Sequence, residues 1–192
     1  MHEAFQHCLE FFQYIHPLKS ESIEALMPCF SLKSFSKKEI FVQQGQVSAE
    51  LNFIYTGSVR EFFEDNYANE TNTWFGLENS IAISTYSFFS QKPSLTNIQA
   101  IEDVQAVVIK HSDLHKLFDR FHDIERLGRL IVEQYLVQIE EMKIILQTLS
   151  ARERYEYILK NKPEFIRRIP LKYLASFLGV QLETLSRVRN QK

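Results

Sequence analysis

The sequence has no apolar run approaching the roughly 18 residues that a membrane-spanning helix needs. Its apolar stretches are short, such as Val107-Val108-Ile109 and Ile144-Ile145-Leu146. The first residues, Met1-His2-Glu3-Ala4-Phe5, lack the basic-then-apolar order of a secretory signal. Cysteine is nearly missing: Cys8 and Cys29 are the only two. Two thiols cannot ligate a four-cysteine iron–sulfur cluster, and without a secretory signal they read as free thiols in a reducing cytoplasm. Glycine and proline number five each, which excludes collagen-like and low-complexity chains. A glycine-rich phosphate loop, a nucleophile elbow and a zinc-hydrolase motif are missing too, so no enzyme is expected. His111 and His115 stand four apart with Asp113 and His122 close by, a spacing that suits a helical metal pair. No third ligand has a matching position, so they read as the start of a surface helix, and no metal or resident cofactor is expected.

Phenylalanine is plentiful, with 16 in 192 residues. A hydrophobic share of 45% and a charged share of 24% fit a soluble globular chain of one domain or two small ones. The net charge of −2 hides a split. Residues 150–192 hold ten basic and four acidic side chains, a net of +6, while residues 1–149 hold 12 basic and 20 acidic, a net of −8. A basic module tied to an acidic one suggests that the C-terminal part meets a polyanion.

Residues 3–15 and 20–29 read as two short amphipathic helices, with Ser20 as an N-cap. From about 31 to 110 short β-rich runs follow: Ile40–Val42, Leu51–Thr56, Ser58–Phe63, Thr71–Phe75, Thr96–Ile101 and Val104–Ile109. Gly45, Gly57, Asp65-Asn66, Pro93-Ser94 and Glu102-Asp103 punctuate them. Many short strands at this spacing predict a compact antiparallel barrel or sandwich. From 112 to 149 there is no proline, and Val132, Tyr135, Ile139, Met142, Leu146 and Leu149 alternate in steps of three and four. That is an a/d stripe, which suits a helix packed on its own barrel or a dimer seam. Ile124, Leu127, Leu130 and Ile131 make a second apolar group on the same segment.

Ser150-Ala151-Arg152-Glu153 has the form of a capping box and marks a boundary. A short helix to about Lys160 follows, closed by Pro163, and Pro170 suits the first turn of the next. The segment from Ile169 to Arg189 has a helix-turn-helix pattern. Ala175 is small where two helices cross, and Gly179 sits where the turn needs a left-handed residue. Leu174, Leu178, Val180, Leu185 and Val188 are placed to pack the pair. Gln181, Glu183, Thr184, Ser186, Arg187, Arg189 and Asn190 are the polar groups available to a DNA groove. There an arginine pairs with guanine and a glutamate accepts from cytosine. Lys172 and Lys192 add to the basic face, with Lys192 a further phosphate-contact candidate.

The chain resembles the cyclic-AMP receptor protein (CRP/FNR) superfamily of transcription regulators over roughly residues 20–190. The segments that carry the resemblance are Gln44-Gly45-Gln46-Val47, Leu51 to Arg60 through Gly57-Ser58-Val59, Pro93 to Ile101, and Glu183-Thr184-Leu185-Ser186-Arg187. The resemblance implies an α+β chain: an N-terminal double-stranded β-helix, or jelly roll, as sensor over 1–111, a long dimerisation helix over 112–149, and a C-terminal helix-turn-helix domain over 150–192. It also implies a cytoplasmic homodimer that binds duplex DNA at a pseudo-palindrome, with RNA polymerase a further partner and no membrane. The dimer seam is assigned to Val132, Tyr135, Ile139, Met142 and Leu146.

The resemblance breaks at the phosphate cassette. Aligning Pro93 and Ala100 puts Ser94 where the family has an arginine, and Ile83-Ser84 where it has a Gly-Glu pair. A buried phosphate without a cation is costly to desolvate, so no cyclic-AMP control is expected. Ile139 and Glu140 fall where nucleotide-binding members carry hydroxyl side chains, which points the same way. What remains for an unidentified small-molecule effector is Ser84, Thr85, Ser87, Ser94, Thr96, Asn97 and Ile139, with Tyr86, Phe88 and Phe89 beside them. In the reading helix, Leu182 replaces a base-contacting arginine of the family's type protein, so a different operator is expected. The sequence stops at Lys192, before the β-wing that many relatives place next, which predicts fewer phosphate contacts and a flatter salt dependence. The alternative is a ligand-sensing or protein-interaction module with a vestigial helix-turn-helix.

Overall fold

A computed structural model describes residues 2–190, apart from the side chain of Asn190. Apolar residues recur in steps of about four in α1 (Glu3–Ile15), where Ala4, Cys8 and Phe12 form one buried face. His2 caps its start, accepting from the Ala4 amide at 3.2 Å. A second helix, α2 (Ser20–Leu26), runs into a short 3₁₀ turn at Met27–Cys29. Ser20 is the first helical residue and does not cap it. That task passes to Asp123 from a distant part of the chain, which accepts from the Lys19 amide at 2.8 Å and the Ser22 hydroxyl at 2.7 Å.

Eight strands follow: β1 (Ser31–Phe35), β2 (Ile40–Val42), β3 (Glu50–Thr56), β4 (Val59–Glu64), β5 (Glu70–Gly76), β6 (Ile81–Ala82), β7 (Asn97–Ala100) and β8 (Val104–Lys110). They form two antiparallel four-stranded sheets, ordered β1-β8-β3-β6 and β2-β7-β4-β5. The period of two explains the layering. Val104, Ala106 and Val108 point into the roll with Ile54, Val59, Ile98 and Ala100. Val107, Ile109 and Phe53 point outward and pack under α1 and the helices that follow. The β3–β4 turn needs Gly57: its φ is +96°, and a Cβ there would stand 2.5 Å from the Asp103 carbonyl oxygen. Gly57→Ala is expected to cost about 2 kcal/mol or more, read as a lower urea midpoint with an unchanged slope.

A short helix, α3 (Thr85–Ser90), interrupts the strands. The segment expected as one helix over 112–149 is two: α4 (His111–Arg120) and α5 (His122–Thr148). Phe121 breaks it with an extended backbone (φ −126°, ψ 104°). Its buried ring anchors in the α1 cluster beside Ile124 and Leu127. Burial of that ring, rather than any helix-breaking residue, sets the corner from which α5 runs on.

The Ser150–Glu153 capping box forms as expected: the Glu153 amide donates to Ser150 Oγ at 3.4 Å and the Ser150 amide to Glu153 Oε2 at 2.8 Å. Four helices complete the chain: α6 (Ala151–Asn161), α7 (Pro163–Arg168), α8 (Leu171–Phe177) and α9 (Leu182–Asn190). Pro163 opens α7 instead of merely closing α6. Pro170 lies just outside α8, at its N-cap. No helix among the described residues is long and apolar enough to cross a membrane.

Candidate DNA-reading unit and effector region

The last helices pack around Tyr155, Ile158, Ile169, Leu174, Ala175, Leu178 and Leu185, all buried. Gly179 takes φ +67°, the left-handed turn that reverses the chain between α8 and α9. Arg154 fastens the junction from behind. Its Nε donates to the Leu149 carbonyl at 2.9 Å and its Nη1 to the Leu178 carbonyl at 2.7 Å, tying the end of α5 to the end of α8. Leu185 buries one face of α9 and leaves the other open. Glu183, Thr184, Arg187 and Arg189 on α9 are exposed, as is Gln181 just before it, while Ser186 is half-buried. Glu183 and Arg187 are four apart and share one helix face, with Thr184 beside them. The structure thus brings most of the expected reading residues onto one open helix. The Asn190 side chain and Lys192 lie outside the described residues. Leu182 is exposed among the polar groups.

The expected effector residues are placed differently. Ser84, Ser87, Ser94 and Asn97 are buried, and their polar atoms are engaged within the protein. Ser94 Oγ donates to the Thr96 carbonyl at 2.6 Å and lies 2.8 Å from Ser84 Oγ. Ser87 Oγ accepts from the Ser48 amide at 2.8 Å and donates to the Lys92 carbonyl at 2.5 Å. Asn97 Oδ1 accepts from the Gln44 amide at 2.8 Å. Ser84, Ser87, Ser94 and Asn97 thus form a buried, internally hydrogen-bonded polar cluster. Ile139 is no part of it: it stands exposed on the outer side of α5. The sequence reading missed Glu61, whose carboxylate accepts from Thr96 Oγ1 at 2.8 Å and Thr73 Oγ1 at 3.1 Å. Burial pushes the Glu61 carboxyl up, against the lowering effect of those hydroxyls. A phosphate here would meet a carboxylate and no guanidinium.

The open space lies elsewhere. A cavity of about 610 Å³ runs between α1, the β5–β6 end of the roll and α5, lined by residues such as Phe11, Ile15, Trp74, Ile83, Phe118 and Tyr135. Of the expected effector group Thr85 lines it, together with Phe88 and Phe89 from the aromatic side chains expected beside it. Its size is that of a small-molecule site.

Only part of the apolar stripe of α5 is exposed. Val132 and Ile139 are exposed, Val132 also at the edge of the cavity, and Leu146 is half-buried. Tyr135 is half-buried and lines the cavity, and Met142 packs against the C-terminal cluster, so both face their own chain. The residues that complete the outward stripe are Leu136, at 58% exposure, with Val137 and Ile144 on the flank. The rings of His111 and His115 lie tilted against each other with centres 4.0 Å apart, and no metal-holding group of three or more His, Cys, Asp or Glu side chains occurs among the described residues. Both cysteines are free, Cys8 buried and Cys29 half-buried.

The C-terminal unit is docked on the roll. Arg168 donates to both oxygens of Glu78, at 2.5 and 2.9 Å, and also pairs with Glu102. The Arg168 hydrogen bonds hold the Glu78 carboxyl below its ordinary value of 4.5. A lowered folded-state value means that this contact stabilises fully above the unfolded value and is lost as pH falls through the folded one. Stability against urea is therefore expected to drop on acidification below about pH 4.5, and Glu78→Gln to flatten that drop.

No family model matches the sequence, and no curated protein matches it. Solved structures do. FixK2 from Bradyrhizobium japonicum superposes with a TM-score of 0.71 at 21% identity, over 84% of this chain and 83% of that one. The c-di-GMP-responsive global regulator CLP from Xanthomonas campestris gives 0.70 at 17% identity, over 90% of this chain and 91% of its own. The catabolite activator protein of Thermus thermophilus gives 0.58 at 20% identity, over 92% and 84%. At these identities the likeness is one of fold. The chain has the fold of the CRP/FNR regulators: a cyclic-nucleotide-binding-like β-roll, a long helix and a C-terminal helical unit.

Proposed function

We propose that the chain is a homodimeric, sequence-specific DNA-binding transcription regulator of the CRP/FNR type that works without cyclic AMP. The observation that carries the reading is α9. It presents Glu183, Thr184 and Arg187 on one open face, and buried Leu185 and the Gly179 turn hold it in place. Glu183 and Arg187 are the base-contacting groups, and Arg189 and Lys172 the phosphate-contacting ones. Gln181 and Ser186 extend the reading face, and Asn190 is a further candidate contact whose side chain lies outside the described residues. The division into a roll over 1–111, a dimerisation segment over 112–149 and a DNA-binding unit over 150–192 belongs to this reading. So do the cytoplasm as its place, RNA polymerase as a further partner and a non-enzymatic role. The regulators named among the similar structures support it.

Loss of cyclic-AMP control follows from Ser94, Ser84 and Glu61, which offer a phosphate no cation. About 1 mM cyclic AMP is expected to move neither the melting temperature nor the retention of duplex DNA. A ligand at a hundred times its dissociation constant would add about 2.7 kcal/mol to stability and be seen in the melt. A cyclic-AMP-dependent rise in both would overturn this part of the reading. The 610 Å³ cavity favours a second reading, a ligand-sensing module, and retention of duplex DNA separates the two.

A further inference from the structure

Among the described residues, Arg60 is the bulkiest side chain that is essentially fully buried, at 2% exposure. Its strand explains why. On β4, Val59 and Glu61 face the roll interior, so Arg60 and Phe62 face the opposite side. There the guanidinium donates to both oxygens of Glu70, at 2.6 and 2.9 Å, and to Gln99 Oε1 at 2.8 Å. It lies 3.9 Å from the centre of the Phe62 ring and 4.0 Å from the centre of the Tyr173 ring. Tyr173 belongs to α8, the first helix of the reading unit. Around it, Ser176 Oγ accepts from the Asn72 amide at 3.0 Å, and the Phe75 ring packs on Phe177 and Phe165. Strand β5 is the edge of its sheet, and α8 covers it.

We propose that Arg60 and Tyr173 are a positioning pair that fixes the reading unit on the sheet of the roll. The sheet, in addition to α5, then sets the separation of the two reading helices in the dimer. This inference rests on the DNA-reading role proposed above. The pair is physically demanding: if α8 left the sheet, one face of a buried cation would lose its only aromatic cover from the reading unit. The next residue along β4, Glu61, looks into the roll interior. A shift inside the roll therefore reaches the reader through one strand.

The test uses the full chain and the variants Tyr173→Leu and Tyr173→Phe, with Arg60→Gln as a second way to break the pair. Two quantities are read. The first is hydrogen exchange without DNA. Tyr173→Leu is expected to speed exchange about tenfold in segments 70–76 and 171–177 and to leave 104–110 unchanged, while Tyr173→Phe behaves like the parent. The second is affinity for palindromic duplexes whose half-site spacing differs by one base pair. The parent is expected to discriminate about tenfold, Tyr173→Leu less than threefold, and Tyr173→Phe like the parent. Unchanged exchange in Tyr173→Leu and Arg60→Gln overturns the docking. Faster exchange with intact spacing discrimination overturns the positioning role. A parent that binds no duplex sinks the DNA-reading function instead, and the exchange result still decides whether the pair holds the unit.

Discussion

Leu136→Glu together with Ile139→Glu is expected to convert the protein to a monomer at micromolar concentration and to weaken operator binding at least 100-fold. Val132, Leu136 and Ile139 follow one another by four and three residues and share one outward face of α5. Large apolar side chains in a row on a surface helix call for a cover, and in the proposed dimer a second copy of the helix provides it. Carboxylates buried there would have no counter-charge. The DNA effect exceeds the loss of one contact because two linked readers bind with avidity, worth about a hundredfold to ten-thousandfold. Sedimentation of the variant and its affinity for a palindromic duplex check both halves. A dimer that survives both glutamates would place the seam elsewhere.

Arg187→Ala is expected to weaken specific binding by about 1–3 kcal/mol, roughly 5- to 150-fold, and to relax preference at one base pair in each half-site. The salt slope should change little if Arg187 reads a base. Arg189→Ala should behave in the opposite way, with affinity falling evenly across sequences and the slope falling by about 0.9 per lost phosphate contact. Binding isotherms at several salt concentrations, on matched and single-substituted duplexes, separate the two roles. Equal loss on all duplexes for Arg187→Ala would make it a backbone contact.

The parts of the fold that were legible in the sequence are those encoded locally. The Ser150–Glu153 capping box and the Gly179 turn rest on interactions within a few residues, and both formed as read. Six of the eight strands were visible from alternation and turn residues. The misses are tertiary. Phe121 breaks a helix with no glycine or proline to announce it, because its ring is drawn into a distant core. Helix α3 is rich in aromatic residues with poor helix propensity and ends at Gln91 in a left-handed conformation. The a/d stripe of α5 marked apolar positions truly, but spacing alone does not say what covers each one. Tyr135 and Met142 are half-buried against their own chain, and Leu136 beside them is exposed. At the candidate site the reading helix was legible because its polar face borders solvent. The effector cluster was less legible: Ser84, Ser87, Ser94 and Asn97 look like a pocket in sequence, and in space they are buried and hydrogen-bonded within the protein. Arg60 and Glu61 were passed over because charged residues are ordinarily exposed, although the alternation from Val59 would have sent Glu61 inward.

Selecting genomic fragments on the purified protein, with and without the nucleotide, decides whether it is a dimeric DNA reader independent of cyclic AMP. One enriched pseudo-palindrome, its half-sites about one helical turn apart, is expected equally in both arms. Enrichment only with cyclic AMP, or none in either arm, would contradict this.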